Sequence, residues 1–261
     1  MTPLASLGFS GGPSGSGVVA TGGTLATYAN GKYKSHFFNT NGTFTVVSNP
    51  NLERFSIVIV GGGGSGGNGG YVSNYYRWSG AGGASGSFNI NEHFLVSGTN
   101  VSITVGGSTG SSSITYDGST ITAAGGPSGN SNYPNNNIAV FPAPGIPQSG
   151  AESLNPYTNQ SSLNITGALS GAGITHQALF AAGIFSGFGG VGAKGWDAWY
   201  NSPGVNNSGN GGAGGQSTNQ NGFAGSGYGC GGGGGAAPSS NGTYTSGGAG
   251  SGGGVWILYR A

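Results

Sequence analysis

Phe55-Ser56-Ile57-Val58-Ile59-Val60 runs without a break into Gly61-Gly62-Gly63-Gly64. Ile and Val are stiff at χ1 and fit a pleated surface. The run has no polar alternation after Ser56, which predicts a strand buried on both faces. From 61 to 70 only Ser65 and Asn68 interrupt the glycine until Tyr71. Such a segment packs only against something that accepts bare backbone. The C-terminal stretch repeats the theme in reverse, with Gly247-Gly248-Ala249-Gly250 followed by Val255-Trp256-Ile257-Leu258-Tyr259. The two strands are therefore expected to pair and close the domain, with the glycine segments gathered at one side.

Glycine supplies 62 of the 261 residues. With proline it makes up about 28 % of the chain, a level that warns of disorder. Disordered chains, however, carry high net charge and few aromatics. This one has a net charge of +1 and 11 % aromatics. Ordered glycine costs roughly 0.5–1 kcal/mol more than alanine per residue, so the tracts need dense lateral hydrogen bonding and close dispersion contact to offset that entropy. The collagen solution is excluded, because glycine falls in doublets and quintets and not at every third position. Extended polyproline-II-like chains, hydrogen-bonded side by side, remain allowed. Six basic residues scattered along the chain make no nucleic-acid patch. Cys230 is the single cysteine, which excludes an intrachain disulfide and a zinc-type cysteine cluster. No signal peptide is expected from the first seven residues, and no stretch has the apolar length of a membrane span.

In chain order, 1–31 reads as an N-terminal attachment segment, with short strands at 18–20 and 24–28. Residues 32–261 read as a glycine-rich β domain. Strands are expected at 32–38 and 43–47 as a hairpin through Asn39-Thr40-Asn41-Gly42, with a turn at Asn49-Pro50-Asn51. Further strands are expected at 84–90 and 101–105, and a second hairpin joins 113–116 to 120–123 through Asp117-Gly118. A loop insertion occupies about 127–208, broken by prolines and rich in Asn; it contains the one helical candidate, 175–182. The fold class is all-β: an antiparallel β-sandwich-like domain whose glycine loops pack as polyglycine-II-like segments, with almost no helix.

Gly61, Gly63 and Gly66 satisfy the dinucleotide pattern directly after a strand. That chemistry needs a helix N-terminus on the pyrophosphate, and no amphipathic period follows. The carboxylates Glu53, Glu92, Asp117, Glu152 and Asp197 are scattered, as are His36, His93 and His176, so neither a paired-carboxylate site nor metal-ligand spacing is visible. The expectation is a non-enzyme with no cofactor and no metal. Two aromatic clusters lie between glycine tracts: Tyr71, Tyr75, Tyr76, Arg77 and Trp78, and then Trp196, Asp197, Trp199 and Tyr200. These residue types make binding hot spots and loop paratopes; equally, they are suited to packing over glycine backbone, and both readings stay open.

The order Ser35-His36-Phe37-Phe38, Gly42-Thr43-Phe44-Thr45-Val46, then 55–60 into 61–64 resembles the opening of glycine-rich domains in phage tail proteins. Val101-Ser102-Ile103-Thr104-Val105-Gly106-Gly107, Ile121-Thr122-Ala123-Ala124-Gly125-Gly126 and Gly254-Val255-Trp256-Ile257-Leu258-Tyr259-Arg260 continue the match over about 35–261. A related likeness is to the glycine-rich fibre-tip adhesins of T-even-like phages, where stacked polyglycine-II helices carry receptor-binding loops. That resemblance implies receptor-facing loops at 71–79, 130–165 and 196–208.

The resulting expectation is a non-enzymatic virion surface protein, a tail-fibre tip adhesin that binds a host surface glycan or outer-membrane protein. It would attach to other virion proteins through its N-terminal segment and act in several copies. The rivals are a capsid or tail decoration protein, a self-assembling extracellular filament subunit, and a glycan depolymerase using two of the carboxylates.

Overall fold

A computed structural model describes residues 17–28, 31, 33–73, 76–80, 82–129, 131, 212, 214–215, 217, 219–239 and 242–261. Every described element is a strand, and every strand pair is antiparallel. The strands are β1 (Val19–Thr21), β2 (Thr24–Tyr28), β3 (Tyr33–Phe38), β4 (Gly42–Ser48), β5 (Arg54–Val60), β6 (Gly69–Ser73), β7 (Tyr76–Trp78), β8 (Phe88–Phe94), β9 (Asn100–Thr104), β10 (Ser112–Tyr116), β11 (Ser119–Ala123), β12 (Thr243–Thr245) and β13 (Gly254–Arg260). One five-stranded sheet has the order β1-β4-β9-β10-β11 and a second the order β2-β3-β13-β5-β8. A small three-stranded sheet, β12-β6-β7, stands apart.

The two large sheets form a sandwich. Period-two alternation decides which side chains enter it. Phe55, Ile57 and Ile59 of β5 and Val255, Ile257 and Tyr259 of β13 meet Phe44, Val46, Val101, Ile103 and Ile114 of the facing sheet. The alternate residues, Val58, Val60, Trp256 and Leu258, form a second buried cluster on the other face with Phe37, Ile90 and Tyr228. β5 is thus buried on both sides from Phe55 to Val60, as its unbroken apolar run requires. β13 lies at the centre of its sheet, paired with β5 from Gly254↔Val60 to Tyr259↔Phe55; the first and last parts of the domain close on each other as expected.

His36 is the polar member of this core, 2 % exposed. A carbonyl only accepts, so Nδ1–H donates to Gly22 O, and Nε2 accepts from the Tyr259 hydroxyl at 3.0 Å. Burial pulls the imidazole below its ordinary range, opposed by the Gly22 bond and aided by Lys34. Burial likewise pushes the Tyr259 phenol up to about 12.

Two readings of the sequence need correction. β3 and β4 are not a hairpin: β3 pairs with β2 and β13, and β4 with β1 and β9. The Asn39–Gly42 link carries the chain from one sheet to the other, with Asn41 Oδ1 holding the Val105 amide at 2.8 Å. The strand expected from 84 begins at Phe88; 84–87 belongs to the glycine structure below. Residues 19–28 contribute two strands to the sandwich itself. The Asp117-Gly118 hairpin is present, with φ of 46° and 72° at its two central residues, the left-handed pair of a type I′ turn. The helical candidate at 175–182 lies outside the described residues.

Beyond the ends of β5 and β13 the packing principle changes. Residues 61–67 run as an extended chain surrounded by 80, 82–87, 106–110, 124–129, 229–236 and 246–253. Gly61 and Gly64 donate to Ser87 and Ala84, Gly63 and Gly66 to Ser251 and Gly248. Gly126 and Gly129 donate to the carbonyls of Gly62 and Ser65, and Gly232 and Gly235 to those of Gly64 and Gly67. Within each pair the partners recur every third residue. Three residues per turn is the geometry of a polyproline-II helix, here hydrogen-bonded to its neighbours and not to water. Further out, 220–225 joins the same lattice through Phe223 O, which accepts from Gly233 at 2.9 Å.

The lattice is closed to side chains. A Cβ built at Gly62, Gly63, Gly64, Gly66, Gly83, Gly232 or Gly248 would sit closer than 3.0 Å to a neighbouring backbone carbonyl. Glycine is needed there for approach, since none of these seven has a positive φ. The G-x-G-x-x-G match at 61–66 is accordingly lattice, followed by the strand β6 and not by a helix.

Candidate functional site

The lattice separates two poles. At one, the sandwich base, Gly17 abuts Ala261 so closely that a Cβ at 17 would lie 2.8 Å from its carbonyl carbon. The turns 49–53 and 95–99 lie there too, tied together by Asn49, whose amide donates to Leu95 O at 2.8 Å and to Glu53 O at 3.0 Å. Leu52, Phe94 and Val96 are exposed on this base, 55–60 % each. Arg54 lies over the Phe94 ring, 4.7 Å from its centroid, and pairs with Glu92 at 3.0 Å.

At the other pole, the outward segments 61–67 and 229–236 reach the three-stranded sheet. Side-chain amides close the lattice there. Asn68 Oδ1 accepts from Gly247 N at 3.0 Å, and Asn221 Oδ1 accepts from Ser246 N at 2.8 Å. Asn219 and Ser239 hold each other twice: Ser239 N donates to Asn219 Oδ1 at 2.8 Å, and Asn219 Nδ2 donates to Ser239 Oγ at 2.7 Å. The pole is thus faced by amides and hydroxyls, each fixed by a short loop on a rigid base.

Register orders the distal sheet into rows. Thr243 pairs with Tyr71, which pairs with Arg77; Tyr244 pairs with Gly70, which pairs with Trp78. Directly opposed residues share a face and successive ones alternate. Tyr71 is 3 % exposed and Thr245 3 %, with Thr245 Oγ1 donating to Ala236 O on the lattice. Tyr244 is 67 % exposed, whereas Gly70, its partner in the register, is buried.

The residues singled out from sequence divide accordingly. Tyr71 is buried. Tyr76, Arg77 and Trp78 lie on β7. Tyr75, Trp196, Asp197, Trp199 and Tyr200 lie outside the described residues. Tyr244 was missed, although its signal is present in the sequence: Thr243-Tyr244-Thr245 is a short β-prone run set between glycines.

A family profile for a glycine-rich domain matches residues 39–260. The chain belongs to this glycine-rich domain family. No curated protein matches it. The match takes in the sandwich from β4 onward, the lattice and the distal sheet, so it covers more than the glycine tracts, while β1, β2 and β3 precede it. The tail-protein likeness read from the sequence covers nearly the same range; the family assignment itself says nothing of a particle.

Proposed function

We propose that this glycine-rich domain is a non-enzymatic surface protein of a phage particle, placed at the tip of a tail fibre, where it binds the host cell surface. One observation carries the reading. A close-packed, glycine-rich lattice of hydrogen-bonded backbone separates a polar turn region bearing the exposed Tyr244 from the pole where residues 17 and 261 lie side by side. That division supports a reading with attachment at the base and recognition at the tip. The exposed apolar residues of the base suit a protein neighbour, whereas the distal amides and Tyr244 suit a polar surface. Several copies per particle would add avidity to a weak single contact.

The test uses antibodies against the chain on intact particles, together with adsorption in the presence of purified protein. Label at fibre ends and blocked adsorption are expected. Dense label over the capsid, with adsorption unaffected, would instead establish a decoration protein.

A further inference from the structure

We infer that the free edge of β2 is a pairing surface for a second copy of this chain, joined antiparallel across a two-fold axis at Ala26. The inference concerns the flank of the sandwich between the poles and stands apart from the adhesin reading.

The two large sheets end in four edge strands, β1, β11, β2 and β8. An edge presents a row of unpaired N–H and C=O groups, and proteins blunt it with short length, bulges, charge or inward-pointing polar residues. β1 has only three residues and a register shift between Val19 and Ala20. β8 carries Glu92, ion-paired with Arg54, and sets Asn89, Asn91 and His93 on the core face of its sheet. β11 exposes only hydroxyls, at Ser119, Thr120 and Thr122. It runs into Ala124, whose carbonyl is held by the amide and the hydroxyl of Ser87 at 2.9 and 2.8 Å.

β2 has none of these devices. Its five residues hold an unshifted register with β3, from Thr24↔Phe37 to Tyr28↔Tyr33. Among the described residues β3 is its only strand partner. The strand contains no charge and no proline. Leu25 lies opposite the buried His36, on the core face of the sheet, yet is 53 % exposed. It thus carries the core layer past the last strand and into solvent.

A second copy supplies both what the backbone and what Leu25 lack. A two-fold contact is self-complementary. With Ala26 on the axis, Leu25 opposes Thr27 of the second copy and Thr24 opposes Tyr28, so no charge meets a like charge. The two Leu25 side chains become diagonal neighbours on one face, within reach of each other. Each covers the hydrocarbon the other exposes. The chain's net charge of +1 sets up little repulsion between copies. Five residues make a small contact, so the pairing is weak and concentration-dependent. It closes on itself and makes pairs, not filaments. β2 runs from the lattice end toward the base, so the two distal poles of a pair point in opposite directions. This contact is therefore separate from any gathering of copies through the base.

The test follows the full chain by sedimentation equilibrium over a concentration series, beside Leu25→Lys, Thr122→Lys, Ala26→Cys and Thr24→Cys. The mass should rise from one chain toward two. Leu25→Lys should weaken pairing at least about tenfold by setting like charges side by side, while Thr122→Lys on β11 leaves it unchanged. Across the axis the Ala26 Cα atoms would lie roughly 4.5–5.5 Å apart, a separation that a disulfide spans. Ala26→Cys should therefore oxidise to a covalent pair, whereas Thr24→Cys, which faces position 28, should not. Cys230 is buried and does not compete. Melting temperatures of the four variants confirm that each is folded. A single chain at every concentration up to about 1 mM would overturn the inference. So would pairing that survives Leu25→Lys, or equal cross-linking at 24 and 26, since either places the contact elsewhere.

Discussion

Ile57 and Gly64 lie on one continuous extended run, yet each is held by what the other lacks. Ile57 is fully buried because its side chain fills the space between two sheets. Gly64 is fully enclosed because it has none: its amide donates to Ala84 O at 2.8 Å, its carbonyl accepts from Gly232 at 2.9 Å, and a Cβ there would collide with Pro127. The sandwich spaces its backbones apart and fills the interval with hydrocarbon. The lattice removes the interval. Hydrophobic burial stabilises the first in proportion to area; the second relies on satisfied peptide groups and dispersion between closely approached chains. The same chain therefore tolerates opposite errors in its two halves.

The largest expected effect breaks the comparison from both sides. Ile57→Ala should lower the unfolding free energy by about 4 kcal/mol through the cavity it leaves. Gly64→Ala should lower it by about 3 kcal/mol through overpacking against backbone that has no rotamer to yield. Urea denaturation measures both. A cost for Gly64→Ala of under about 1 kcal/mol would mean that the lattice gives way and is not close-packed. Hydrogen exchange sharpens the point. The amides of Gly62, Gly64, Gly66, Gly232 and Gly248 should exchange as slowly as those of β13, since each has a defined carbonyl partner. Exchange within seconds at these positions would reduce the lattice to tether.

A smaller effect separates the halves by pH. In the sandwich, burial lowers the pKa values of His36 and His93. His93 Nδ1 is bonded to the Tyr116 hydroxyl and its Nε2 is buried without a partner. In the unfolded chain both imidazoles take up protons first, so their stabilising contribution is complete above about pH 6.5 and declines as pH falls from there toward the folded values. Tyr259 acts in the opposite direction: with its pKa raised to about 12, its contribution is complete below about pH 10 and is lost as pH rises toward 12. Melting curves should fall on both limbs, and the His36→Gln, His93→Gln double variant should flatten the acid one. The described lattice segments hold no histidine or tyrosine, so their exchange rates, corrected for intrinsic chemistry, should change on these two limbs only as far as the sandwich unfolds.

The smallest effect is an internal control. Gly107 lies beside the lattice, but nothing lies within 4 Å of the position its Cβ would take. Gly107→Ala should alter stability by less than about 0.5 kcal/mol. A large loss there would show that glycine is required for flexibility and not for approach.

Much of this division was legible in the residues. The doubly buried β5, its closure by β13, the Asp117-Gly118 hairpin and the gathering of glycine tracts all follow from local pattern. The misreadings share a cause. Asn41-Gly42 carries a hairpin signal, but the neighbours of β3 and β4 are set by distant strands. The start of β8 was placed early because Ala84 and Ser85 have strand-like extension without strand pairing. Tyr71 stayed open between packing and binding because sequence does not reveal which face of a short glycine-flanked strand is buried. Tyr244 went unnoticed because a three-residue strand between glycines has no period to read.

The threefold repeat of the lattice hydrogen bonds has a consequence for how such a protein can change length. One added residue in 61–67 would turn every later amide by a third of a revolution and aim it at the wrong neighbour. Three added residues would restore each donor to its original side, one turn further on. Growth or shortening of the shaft is therefore quantised in triplets and must be matched in adjoining tracts, whereas the turns beyond it are free to drift singly.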